Sequence, residues 1–465
     1  MLFNSQVFAI FFAAVFAAYW LLSKHVGLRV WLLLVASYVF YGYWNWYLLA
    51  LIFTSTAIDY GLGLAIGACA DPKRRKALLI VSLVTNLGLL GFFKYWNFFA
   101  REASEALAAL GLSGSLPVLQ IILPVGISFY TFQTLSYTID VYRGSLPPER
   151  NFARFALFVS FFPQLVAGPI VRASDFLPQI GKPPTLRPAA FESGLALFFW
   201  GLAKKVLIAD YLGRTLVDPF WADPTGHGGW ASLIGIYAYA FQIYGDFSGY
   251  SDMAIGTARM LGFELCENFN APYRSASPRE FWTRWHISLS SWLRDYLYVP
   301  LGGNRRGTLL TYRNLALTML LGGLWHGASW MFVLWGAYHG LILIGDRLLD
   351  LREPKSELAR SLRIALMFQL TCLGWVFFRS AAPGDAWAVL GSLAEPRGTA
   401  ALPGLALLAL SCAALTHFPP RTLIERVRTR FLALPGLVQG AAYALLIGLV
   451  VNASSAETPF IYFQF

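Results

Sequence analysis

Two histidines and two aspartates stand where their chemistry would matter most. His326 lies in Leu324-Trp-His-Gly-Ala-Ser329, the thirteenth residue of a 32-residue run, Asn314–Gly345, that holds no Asp, Glu, Lys or Arg. As one straight helix that run would be about 48 Å long at about 1.5 Å per residue, more than the roughly 30 Å hydrocarbon core of a bilayer. It must bend, tilt or break, and Gly322-Gly323 and Gly327 are the natural break points. An imidazole in that setting can serve as a general base or proton shuttle; its structural alternative is a hydrogen bond to a neighbouring helix. His286, in Trp285-His-Ile-Ser-Leu-Ser290, is the second candidate, with Ser288 and Ser290 close by in sequence. Asp246 and Asp252 are six residues apart, so they face different sides of a continuous helix, and Gly245 and Gly249 between them suggest a kink. Asp246 is expected to orient a substrate or to steady polar backbone. His339 reads as a residue near the end of its span, and His25, His227 and His417 as loop or boundary residues.

The elements that position these groups follow from composition. Of 465 residues, 57% are hydrophobic and only 13% charged, and the mean hydropathy is +0.54. A water-soluble surface needs more charge than this, so much of the apolar surface must face lipid. Residues 1–23, Val30–Ile58, Ala106–Ile139, Asn314–Gly345 and Phe431–Ala456 are long apolar runs; Ala77–Phe93, Phe155–Val171, Gly228–Gly245 and Ile364–Phe378 are shorter ones. Inside lipid the backbone must satisfy its own hydrogen bonds, so the expected fold is all-α: a polytopic membrane protein with about 10 to 13 embedded helices. Met1–Ser23 has no basic start and no small-residue cleavage site, and reads as a retained first span.

The net charge of +11 comes from Lys and Arg set between apolar runs: Lys73–Lys76, Arg143–Arg154, Lys204-Lys205, Arg305-Arg306 and Arg421–Arg430. That is a positive-inside pattern and not a nucleic-acid-binding face, and no nucleic-acid partner is expected. It puts the Lys73 loop in the cytoplasm and the mixed-charge Arg101–Glu105 stretch outside, the multi-pass arrangement of a bacterial inner-membrane protein. Cys69, Cys266, Cys372 and Cys412 are scattered without metal-ligand spacing, so no metal site is expected.

No linker or internal repeat divides the chain, which reads as a single membrane domain over residues 1–465. The stretch 266–306 is distinct, rich in Arg, Trp, Tyr and Asn. Trp282, Trp285, Leu289, Trp292 and Tyr296 recur at helical spacing, and Glu280 and Arg284 are placed to pair four residues apart. It is expected in the interface or dipping into the membrane. No G-x-S-x-G elbow, Walker loop or H-E-x-x-H motif occurs. Residue chemistry alone leaves an acyltransferase, a proton-coupled transporter and a protease-like enzyme open, as well as a non-catalytic scaffold.

Asn270-Ala-Pro-Tyr-Arg-Ser-Ala-Ser-Pro-Arg-Glu-Phe-Trp-Thr-Arg-Trp-His and its continuation to Asn304 resemble the membrane-bound O-acyltransferase superfamily. So do Gly323–Trp330, Trp335–Gly340, Leu123–Gln133, Phe161–Ile170 and Pro459–Phe465. The pattern is most similar to bacterial alginate O-acetyltransferases. The resemblance implies a helical ring around a central tunnel, with the catalytic segment at roughly 240–345. It implies that His326 and His286 are catalytic and that Trp325 and Asp246 line the substrate path. No bound cofactor is implied; the donor is acetyl-CoA or a carrier-protein thioester from the cytoplasm. A periplasmic polysaccharide acetyltransferase is the implied partner, beside membrane lipid. Arg279, Arg284, Arg305 and Arg306 are expected to meet the carrier's phosphates by charge and side. A D-alanyl or peptidoglycan O-acyl transfer within the same family is the alternative.

Overall fold

Apolar runs set the helices, and glycine, proline and short polar caps end them. The computed structural model describes residues 1–112, 114–350, 354, 356–395, 402–453 and 461, and every regular element among these is helical. The all-α, polytopic expectation is met. The helices fall into two compact units, Met1–Phe191 with Thr257–Cys266, and Glu192–Gly256 with Glu267–Phe465.

The first unit holds α1 (Gln6–Leu21), α2 (Val26–Gly42), α3 (Leu49–Ala68), α4 (Pro72–Leu90), α5 (Trp96–Ala109), α6 (Ile127–Arg143), α7 (Phe152–Ser160), α8 (Phe162–Leu165) and α9 (Ala173–Ile180). Asp71 caps α4 through the Lys73 backbone N–H, with Pro72 as its first residue, a favourable start. Through the π turn Gly91–Tyr95, α4 runs into α5, giving one helical rod, Pro72–Ala109, of 38 residues. The interior is polar in one place. Asp59 of α3 is fully buried and accepts from Ser82 Oγ at 2.6 Å and Asn86 Nδ2 at 2.8 Å, both on α4. Two apolar runs do not form single helices. Ala106–Ile139 leaves α5 at Ala109 and re-enters a helix only at Ile127, because Gly111 and Gly126 take positive φ and Pro117 and Pro124 lie between them. Phe155–Val171 breaks at Phe161 and is buried throughout.

The second unit contains α10 (Pro188–Ala203), α11 (Asp218–Ala222), α12 (Gly229–Met260), α13 (Pro278–Trp282), α14 (Ile287–Leu293), α15 (Thr308–His326), α16 (Trp330–Leu348), α17 (Glu357–Arg379), α18 (Pro383–Ser392), α19 (Gly404–His417), α20 (Arg421–Leu432) and α21 (Gly436–Ala453). The first residues of α10 and the last turn of α12 belong to the first unit. Gly245 and Gly249 do not kink α12, which is continuous. They permit close packing instead: a Cβ on Gly249 would stand 2.7 Å from the Gly201 carbonyl oxygen, and one on Gly256 2.5 Å from that of Gly194. Small residues at such crossings let backbones approach within a membrane.

Four helices are long and apolar enough to cross a membrane, Trp46–Ala68, Pro72–Ala109, Glu357–Arg379 and Gly436–Ala453. Gln6–Leu21, Val26–Gly42 and Gly404–His417 are shorter apolar helices. The motif Pro459–Phe465 lies outside the described residues except for Ile461, as does the end of the Phe431–Ala456 run.

Candidate active site

Asn314–Gly345 breaks where glycine allows it, but only once. α15 and α16 form an antiparallel hairpin closed at Gly327–Ser329, and Ser329 Oγ caps α16 by accepting from the Met331 N–H at 3.2 Å. Gly322 and Gly323 stay helical. A Cβ on Gly323 would collide with the Phe332 carbonyl oxygen, and one on Gly336 with that of Met319, so these glycines bring the two rods together. His326 is the last residue of α15 and is 3% exposed. Its ring stands edge-on to Trp325, Trp335 and Phe378, with centroids at 5.1, 5.1 and 5.3 Å. The first two flank it from the hairpin, the third from α17.

The aromatic stretch 282–296 is not the single helix its spacing suggests. α13 ends at Trp282, and His286 takes a left-handed backbone, φ 42°, before α14 begins. That conformation is costly for a residue with a Cβ and persists only where its surroundings impose it. Here the segment 268–270 does so: Ile287 N–H donates to the Asn268 carbonyl at 2.9 Å, and Asn270 N–H to the Arg284 carbonyl at 2.9 Å. His286 is fully buried; its Nδ1 lies 3.1 Å from Asn268 Oδ1, and Phe247 of α12 packs edge-on at 4.7 Å.

Trp325 joins the two histidines. It is buried, 5.9 Å from the His286 ring and 5.1 Å from that of His326. Two imidazoles from different helical segments thus abut one indole.

Asp246 has a different neighbourhood from the one expected. The π turn Lys204–Asp210 aims two adjacent lysines at α12. Lys205 Nζ bridges Asp210 at 2.7 Å and Asp246 at 2.6 Å; Lys204 Nζ reaches Asp252 at 2.7 Å and Ser248 at 2.9 Å. Asp246 Oδ2 also accepts from the Ile461 N–H at 2.6 Å. Lys204 and Lys205 are therefore buried ion-pair partners and not a charged loop, a correction to their reading from charge alone. Asp246 is tied into this network on the helix that also carries Phe247.

Glu280 and Arg284 pair as expected, at 2.9 Å, although a turn and not a continuous helix connects them; Arg360 joins at 3.3 Å. Arg284 also donates to the Asn270 carbonyl at 3.0 Å, so it braces the histidine-bearing turn. Arg279, Arg305 and Arg306 are exposed. His339 and His417 are not boundary residues. His339 is buried against Trp335 (4.7 Å) and Trp282 (5.2 Å), and His417 Nε2 accepts from the Tyr273 N–H at 3.1 Å. Sequence reasoning missed Asn268, Trp335 and Phe378. Trp335 is four residues from His339 on one helix face, a spacing visible in the sequence; Asn268 and Phe378 carry no local signal.

Residues 145–379 match the family model of the membrane-bound O-acyltransferase family, MBOAT. The probable alginate O-acetylase AlgI of Azotobacter vinelandii is 46% identical over 396 residues, covering 84% of this chain and 78% of that protein. The chain belongs to the membrane-bound O-acyltransferase family. The corresponding Pseudomonas aeruginosa protein is 46% identical over 390 residues, 83% of this chain and 74% of its own. The peptidoglycan O-acetyltransferase of Helicobacter pylori is 36% identical over 444 residues, 88% and 82%. As a member of the family the protein is a multi-pass membrane O-acyltransferase. The matched region contains the hairpin, the His286 turn and the lysine network.

Proposed function

We propose that this chain O-acetylates an extracytoplasmic polysaccharide from the bacterial inner membrane, taking acetyl from a cytoplasmic thioester, acetyl-CoA or an acyl carrier protein. The observation that carries this reading is the pairing of buried His326 and His286 against Trp325. Similarity to alginate O-acetylases supports alginate or a related polymer as acceptor. The second reading, a peptidoglycan acceptor, is favoured by the Helicobacter pylori relative, which matches 88% of this chain.

The chemistry needs little beyond a base and a position. His326 takes the proton of the acceptor hydroxyl as its oxygen attacks the thioester carbonyl. The C–S bond breaks, the thiolate leaves and is protonated, and the acyl group stays on oxygen. His286 supports the donor or the second proton transfer, and Trp325 keeps water from the reacting atoms by filling the space between the rings. Exposed Arg279, Arg305 and Arg306 meet the phosphates of the carrier, while Arg284 and Asp246 act by holding the site in shape. A periplasmic polysaccharide acetyltransferase completes transfer to the polymer.

The test is His326→Ala, expressed at normal membrane levels in cells lacking their own copy, with the acetyl content of exported polymer as readout. A fall of at least about 100-fold is expected for loss of a general base. Undiminished acetylation would overturn the role of His326.

A further inference from the structure

We propose that Asn268 is the positioning residue of His286: it locks the imidazole as the Nδ1–H tautomer and makes Nε2 the nitrogen that works in acyl transfer. The inference rests on the catalytic reading of His286 and adds which of its atoms acts and what sets that choice.

The argument starts from one atom. The side-chain amide of Asn268 has an oxygen that only accepts and a nitrogen that only donates. The atom facing Ser288 receives that residue's backbone N–H at 3.3 Å and its hydroxyl at 2.9 Å. A backbone N–H is always a donor, so this atom is the oxygen. The amide nitrogen turns the other way and donates to Ser251 Oγ on α12 at 3.2 Å. Both ends of the amide are thereby fixed. The same oxygen lies 3.1 Å from His286 Nδ1. Two acceptors do not share a hydrogen bond, so Nδ1 must carry the proton. In the neutral ring the lone pair then sits on Nε2.

The backbone around Asn268 reinforces the lock. Its carbonyl accepts the Ile287 N–H, one bond beyond the left-handed His286. A single residue therefore holds the strained backbone of His286 and sets its ring chemistry. Phe247, edge-on at 4.7 Å, restrains ring rotation from the α12 side. No other described side chain is recorded against Nδ1, and Asn268 is itself 1% exposed. A water molecule cannot replace it without opening this core.

The tautomer is read directly by nitrogen NMR on the full-length protein labelled with 15N-histidine and reconstituted in lipid; loss of signal in His286→Asn assigns the resonances. A protonated Nδ1 and an unprotonated Nε2 are expected for His286; the reverse pattern overturns the proposal. Asn268→Asp keeps the acceptor and adds a negative charge beside the ring, which favours the imidazolium. The protonation midpoint of His286 is expected to rise by at least about one pH unit; an unmoved midpoint counts against the contact. Asn268→Ala should lose the single-tautomer signature and lower polymer acetylation by more than about tenfold, with Asn268→Asp retaining part of it. His286→Ala is measured alongside. If His286→Ala acetylates normally, the catalytic reading of His286 falls and the NMR result stands alone. If His286→Ala is inactive but Asn268→Ala is not, only the positioning role is overturned.

Discussion

At the scale of single residues, the chemistry concentrates on one indole. Trp325 touches both imidazoles, so its ring sets their spacing. Trp325→Ala is expected to cost acyl transfer nearly as much as loss of a histidine, whereas Trp325→Phe, which keeps an aromatic edge there, should retain at least about a tenth of the activity. Polymer acetyl content at matched membrane levels distinguishes the two. His326 was legible because an imidazole in the middle of an uncharged run is expensive unless it has a task. The buried positions of His339 and His417 were not, since sequence shows distance from charge but not which faces pack together. Asn268 was invisible for a similar reason: it lies eighteen residues from His286, outside any helical or strand period, and meets it only because the chain turns at 283–286.

At the scale of elements, the hairpin of α15 and α16 depends on the absence of side chains where the rods meet. Gly336→Ala would push a methyl group into the Met319 carbonyl. A loss of about 1–3 kcal/mol is expected for such overpacking, seen as a lowered midpoint in thermal unfolding in detergent. The lysine network is predicted to be less forgiving. Lys205→Met strands Asp210 and Asp246 without their shared cation, at about 3–5 kcal/mol for a broken buried pair. The double substitution Asp210→Asn with Asp246→Asn in the same background should recover a good part of that loss, which unfolding midpoints would again report. The single break at Gly327 could be anticipated from run length and glycine; the choice among three candidate sites could not, because the other two glycines are consumed by packing. The aromatic period over 282–296 misled for the opposite reason, since a left-handed residue can interrupt a helix without glycine or proline when neighbouring segments hold it.

At the scale of the whole molecule, the class was readable from composition, and charge placement gives it a direction that can be measured. From Lys76 to Arg101 the Pro72–Ala109 rod rises roughly 37 Å, enough to cross a hydrocarbon core. In a variant without its native cysteines, a thiol at Lys73 should react with an impermeant maleimide only in permeabilised cells, and one at Arg101 in intact spheroplasts; the opposite pattern would invert the assigned orientation. The π turns at Gly91–Tyr95, Lys204–Asp210, Gly213–Val217 and Arg294–Tyr298 bear on how such a chain can change length over evolution. A π turn carries one residue more than an ordinary helix requires. Losing one amino acid there lets the backbone rewind smoothly, yet swings all that follows by about 100° about the axis. In Lys204–Asp210 that swing would carry Asp210 away from Lys205. An indel at this point, harmless by every measure of helix content, would therefore act as a rotation of the charge network, and homologues with a residue missing here should show a different partner opposite α12.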